Sequence, residues 1–209
     1  MSEQDTRAQI VEAADELFYL VGYAQTSFSD IAEAVRISRG NFYYYFKTKD
    51  AILDAVIARR LESTRQMLAR WEAEGGAPAE RIRCFIDILI VNRAKIKRYG
   101  CPVGTLASEL AKLNHEAQGA ANKLFTLFRT WLARQFEAAG CREDADSLAL
   151  HLLARSQGVA TLANAYRDEK FIRREVQQMY DWLDAQLPES TKVKPPRRQR
   201  AGRRKEETQ

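Results

Sequence analysis

Apolar residues along this chain recur at helical spacing, broken by glycine, proline and small polar residues. Over 5–21, Ile10, Val11, Ala14, Leu17, Phe18 and Val21 fall at i, i+1, i+4, i+7, i+8 and i+11, one stripe of an amphipathic helix that Gly22 ends. Ser27 with Asp30 three residues on has the form of a capping box, and Ile31, Ala34 and Val35 give the short helix behind it a buried side. Ser38 is a good N-cap for a further helix over 39–45, and Thr48 for a long one running to about residue 73, where Gly75-Gly76-Ala77-Pro78 breaks the pattern. Helical periodicity then predicts elements over 79–98, 103–113, 115–139, 143–167 and 169–187. That makes about nine helices and no strand: an all-α chain with a three-helix head and a larger helical body. A helix of about 25 residues starting at Thr48 spans about 37 Å, long enough to link the two.

The helix over 39–45 cannot bury every side. Phe42, Tyr45 and Phe46 share a face by i, i+3, i+4 spacing and can anchor it. Arg39, Gly40, Asn41, Tyr43 and Tyr44 then turn outward, with Lys47 and Lys49 just beyond. Guanidinium, amide and phenol groups clustered at the start of a short helix suit the edges and phosphates of a DNA major groove.

The run Ile37-Ser38-Arg39-Gly40-Asn41-Phe42-Tyr43-Tyr44-Tyr45-Phe46-Lys47-Thr48-Lys49-Asp50, with Asp30-Ile31-Ala32-Glu33-Ala34 before it, resembles the second and recognition helices of the TetR family of transcriptional regulators. The likeness covers roughly the first 60 residues and implies a helix-turn-helix DNA-binding domain over 1–47, with Ser27, Ser38, Arg39, Gly40, Asn41, Tyr43, Tyr44, Lys47 and Lys49 at the DNA. Arg36 departs from the pattern: it occupies a turn position where the family usually has Gly. A left-handed conformation there costs Arg roughly 1 kcal/mol relative to Gly.

The resemblance further implies an effector-binding and dimerisation domain over 48–187, a palindromic double-stranded DNA operator, a homodimer, and repression relieved by a small-molecule or electrophile effector. Carried onto this chain, the dimer face comes from the last two helices, through Leu148, Leu150, Leu152, Leu153, Val159 and Leu162, with Phe171, Val176, Met179, Tyr180, Trp182 and Leu183. The body also holds polar residues among apolar ones; Asn92, Cys101, Thr105, Phe125 and Phe128 are the candidate pocket or sensor residues. The segment Tyr99-Gly100-Cys101-Pro102 resembles a Gly-Cys segment in a subgroup of the family, some of whose members sense electrophiles or oxidants through cysteine. A small buried side chain at a helix junction is the alternative for Cys101.

Charge alters this picture only in where it sits. The formal net charge of +5 is carried entirely by residues 188–209, which hold eight Lys and Arg against three Glu around Pro195-Pro196 and have almost no apolar side chains. That composition predicts a disordered basic tail adding salt-sensitive, non-specific DNA affinity. Within 1–50, four of the five cations lie between Arg36 and Lys49, a local patch on an otherwise acidic head. Cys84, Cys101 and Cys141 are widely spaced, which argues against a disulfide framework or zinc site and for a cytoplasmic setting. No apolar run approaches the ~20 residues of a membrane span, and the polar, acidic Met1-Ser2-Glu3-Gln4-Asp5 lacks the pattern of a secretory signal. With only His115 and His151, and no nucleophile-elbow or phosphate-loop pattern, no catalytic residue, metal or cofactor is assigned. Two alternatives to a DNA-binding regulator are a helical adaptor that binds a protein partner through Tyr43-Tyr44-Tyr45, and an enzyme.

Overall fold

In the computed structural model, residues 3–188 are described; the basic tail expected over 188–209 lies outside them but for Pro188. Ten helices and no strand occur among the described residues: α1 Glu3–Leu20, α2 Phe28–Val35, α3 Arg39–Tyr45, α4 Lys49–Ala73, α5 Pro78–Val91, α6 Arg93–Tyr99, α7 Pro102–Lys112, α8 Gln118–Ala138, α9 Ala145–Tyr166 and α10 Glu169–Gln186.

The tenth helix arises because the stretch over 79–98 divides at Asn92. Its carboxamide donates to Ile88 O at 2.9 Å, and its backbone relaxes to φ −98°, ψ 8°. A short polar side chain that bonds its own helix competes with regular geometry, and here it ends α5 and starts α6.

The head folds by the local rules its sequence carries. The Ser27 hydroxyl accepts Asp30 N at 3.2 Å while the Asp30 carboxylate accepts Ser27 N at 2.7 Å, closing the capping box. The Ser27 backbone N–H and, next, the Ser27 hydroxyl hold the Asp30 carboxyl below its ordinary range. Ser38 caps α3 through Asn41 N at 3.3 Å, and Thr48 caps α4 through Ala51 N at 3.1 Å. Arg36 ends α2 in the left-handed region, at φ 57° and ψ 42°, so this arginine does carry the conformational cost expected of it.

Two apolar clusters form the interior. One gathers α5, α8, α9 and α10 around Trp131, Leu132, Phe136, Leu152 and Met179. The other joins Ile10, Phe18, Ile31 and Phe42 of the first three helices, with Phe46 at the end of α3, to Ile52, Leu53 and Val56 in the first half of α4. It is completed by Leu106 and Leu110 of α7, together with Ala117 and Ala121. The boundary between clusters therefore runs across α4 rather than at residue 47. Half of the residues expected at a dimer face (Leu152, Leu153, Val159, Val176, Met179 and Leu183) are buried in the first cluster and four more pack against it, while Leu150 and Leu162 stay exposed. The helical stripe of α9 and α10 is spent mainly on their own subunit.

Candidate nucleic-acid interface and body cavity

Helix α3 stands on Phe42, which is 1% exposed and meets Phe28 edge-on with ring centroids 5.3 Å apart. Burying a phenyl group this completely is worth about 1.5–3 kcal/mol, enough to fix a helix too short to persist alone. The opposite face is open: Arg39, Gly40, Asn41, Tyr43 and Tyr44 are all exposed, the two tyrosines at 47% and 63%. Tyr43 leans on Phe28 at 5.4 Å, and Tyr44 meets Tyr45 edge-on. The guanidinium of Arg39 donates to Ser29 Oγ at 2.7 Å, so α2 helps to position it. Ser29 carries no signal of this in the sequence, since its part depends on the crossing of two helices. Lys47 donates to Tyr43 O at 2.6 Å and remains at the surface. Ser27 and Ser38 are exposed and act first as caps.

Lys49 does not join this surface. Its ammonium donates to Tyr23 O at 3.0 Å, Thr26 O at 3.2 Å and Ala24 O at 3.5 Å, and lies 4.3 Å from the Tyr23 ring centroid. Three carbonyls match the three N–H groups of an ammonium, so Lys49 is a clamp on the α1–α2 loop. From the other side, the Glu109 carboxylate of α7 accepts Tyr23 N at 2.9 Å and Ala24 N at 2.8 Å. The Tyr23 hydroxyl donates to Asp50, and His115 lies 3.2 Å from the same oxygen. Burial and the Asp50 carboxylate together push the Tyr23 phenol upward, and that bond draws Asp50 down. Glu109 and His115 thus belong to the seam between head and body.

Within the body lies a cavity of about 610 Å³. Of the candidate pocket residues, Asn92, Cys101, Phe125 and Phe128 line it, beside Met67, Ile88 and Leu153. Thr105 does not: it is exposed, with its hydroxyl turned back to Cys101 O at 2.8 Å. A threonine one turn into a helix commonly bonds the carbonyl four residues before it, and this bond takes Thr105 out of the lining. Cys101 is half-buried at the N-cap of α7. Cys84 and Cys141 lie elsewhere, each thiol pushed up by burial.

One edge of the cavity is charged and reaches the head. Arg60 of α4 donates from Nε to Asp15 of α1 at 2.7 Å and from Nη1 to Pro102 O at 2.7 Å. Arg59 pairs with the same Asp15 and with Glu12, both at 3.1 Å. Tyr19 of α1 donates to Gly100 O at 2.9 Å, its phenol pushed up to about 12 by burial and, next, by nearby Cys101. Nothing in the sequence marks Arg60 and Asp15, because a charged residue on a helix is ordinarily a solvated one.

Among the described residues, no helix is long and apolar enough to cross a membrane, and no cluster of His, Cys, Asp and Glu could hold a metal ion.

Comparison with known proteins agrees with this arrangement. Residues 10–56 match the family described as bacterial regulatory proteins, tetR family, and residues 78–178 match the C-terminal domain of LmrA/YxaF-like transcriptional regulators. An uncharacterised HTH-type transcriptional regulator of Lactococcus lactis subsp. lactis is 28% identical over 169 residues, covering 79% of this chain and 86% of the relative. The HTH-type transcriptional regulator LmrA of Bacillus subtilis (strain 168) is 26% identical over 167 residues, covering 79% and 84%. Among solved structures, a TetR transcriptional regulator from Legionella pneumophila superimposes with a TM-score of 0.76 at 26% identity, covering 90% of this chain and 99% of that one.

Proposed function

The chain belongs to the tetR family of bacterial regulatory proteins and is a DNA-binding transcriptional regulator, and we propose from this premise that it is a cytoplasmic, homodimeric repressor released from a palindromic operator by a small molecule in the body cavity. The observation that carries the reading is the open face of α3. Arg39, Asn41, Tyr43 and Tyr44 present donors to solvent from a helix whose other side is fixed by Phe42. In the proposed complex Arg39 reads a base edge, while Tyr43, Tyr44 and Lys47 hold phosphates and Gly40 allows close approach. Ser27 and Ser38 lie at the N-termini of α2 and α3, where backbone N–H groups favour an anion.

A dimer supplies two such helices to two half-sites. Its face would include the exposed stripe Leu150, Ala154, Gly158, Leu162 and Tyr166 of α9, where small residues permit close helix contact. The position of Cys101 on the cavity supports a second class of effector, a thiol-reactive electrophile. Selection of bound duplexes from a random pool tests the DNA reading. A recovered palindrome whose affinity falls steeply with salt supports it; salt-insensitive binding, or no enrichment, favours a protein partner instead. Release of the selected duplex by N-ethylmaleimide from the wild type but not from Cys101→Ser would establish the electrophile route.

A further inference from the structure

We propose that the body cavity takes an amphipathic organic anion, whose acid group displaces Asp15 from the Arg60 guanidinium while its apolar part lies against Phe125 and Phe128. The proposal rests on the cavity being the effector site. Three carboxylates of α1 (Glu12, Asp15 and Glu16) and three cations (Arg59 and Arg60 of α4, with Lys95) border the cavity, so simple counting favours neither sign.

Depth decides. The Arg60 side chain is 10% exposed and Asp15 19%, against 43% for Arg59 and 68% for Glu12. The most enclosed charge is therefore a cation. Its carboxylate partner is also not its own. Asp15 is shared between Arg59 and Arg60, and Arg59 has Glu12 as a second partner while Arg60 has no other carboxylate among the described residues. Nε and Nη1 of Arg60 are engaged by Asp15 and Pro102 O, and Nη2 has no hydrogen-bond partner among the described residues. A guanidinium fork left partly open beside apolar walls matches a planar carboxylate or a sulfonate, whose oxygens can take two parallel N–H bonds. A cationic ligand finds no such place: Glu16 is exposed at the rim, and deeper entry would bring it against Arg60. Because Asp15 lies on α1 and Arg60 on α4, an anion that takes over Arg60 also cuts a tie between the DNA-binding head and the body.

A matched pair of fluorescent probes tests this. 1-Anilinonaphthalene-8-sulfonate and N-phenyl-1-naphthylamine share an apolar frame, and only the first carries an acid. Both should bind the wild type and compete for one site. Arg60→Met should weaken the sulfonate about tenfold and leave the neutral amine within about twofold, since only the sulfonate loses a charged partner. Asp15→Asn, which keeps Arg60 but weakens its competitor, should tighten the sulfonate roughly threefold and leave the amine unchanged. If Arg60→Met fails to fold, the Asp15→Asn result decides alone. Equal response of both probes to these variants would overturn the anion assignment while leaving the cavity as an effector site. Binding of neither probe to the wild type would overturn both.

Discussion

The outer face of α3 and the inner edge of the cavity both carry arginines, but treat them oppositely. On α3, Arg39 sits at the surface with a single neutral partner, Ser29, and the neighbouring Tyr43 and Tyr44 are exposed as well. At the cavity, Arg60 is nearly enclosed and held by a carboxylate and a carbonyl. An exposed guanidinium is hydrated, so exchanging water for phosphate or a base edge needs little internal rearrangement. An enclosed ion pair can be entered only by a group that replaces one of its members, because a lone buried charge is costly. The first surface suits a target found by diffusion along DNA; the second suits discrimination among small molecules.

The comparison breaks most sharply where the foundation of α3 is removed. Phe42→Ala should cost roughly 3–5 kcal/mol of stability by leaving a cavity beneath the recognition helix; urea unfolding would show it, and a loss below 1 kcal/mol would mean that α3 is anchored elsewhere. Arg39→Ala should leave folding unchanged and weaken binding to the selected site by roughly 1–3 kcal/mol, with discrimination lost at one base pair. Intact discrimination would make Arg39 a phosphate contact. For Lys49→Met the expected loss is in stability, about 1–2 kcal/mol from abandoned carbonyls, with the salt slope of DNA binding unchanged. A slope reduced by about one would return Lys49 to the phosphates. Arg36→Gly should stabilise the head by about 1 kcal/mol, read as a raised urea midpoint.

The smallest effect concerns pH. The Tyr23 hydroxyl donates to Asp50 and draws its folded pKa below the ordinary carboxylate value. The stability this contributes is present above the ordinary value near 4 and is lost as pH falls through the lower folded value. Asp50→Asn should therefore flatten the acid limb of a stability–pH curve below about pH 4; an unchanged limb would mean that the bond contributes nothing to folding.

What could be read from the chain before its structure follows the same division. Ser27 with Asp30, Ser38 with Asn41 and Thr48 with Ala51 each act over three residues, so spacing alone determines them. The alternation of buried Phe42 and exposed Tyr43 and Tyr44 is likewise a property of one helix. Of the five candidate pocket residues, Phe125 and Phe128 meet at the cavity as apolar groups one turn apart on α8, while Asn92 and Cys101 reach it from helix junctions. Lys49, Glu109 and Arg60 were not legible. Their partners lie at least 23 residues away, and nothing in a local pattern separates a lysine bound to carbonyls from one reaching for phosphate. Asn92 shows the same limit within a helix, where an apolar stripe continues through a break that one carboxamide imposes.

The apolar cluster beneath the recognition helix is closed by Leu106 and Leu110 of α7 and by Ala117 and Ala121, more than fifty residues after α3 ends. The head is therefore not a portable cassette. Residues 1–47 transplanted onto another body would present bare hydrocarbon where those four side chains belong, and the α1–α2 loop would lack the carboxylate of Glu109. A chimaera that keeps the DNA specificity of this chain must import the matching surface of α7 and the start of α8 along with α3. Recombination between relatives is constrained in the same way, because a crossover within α4 separates halves of one interior.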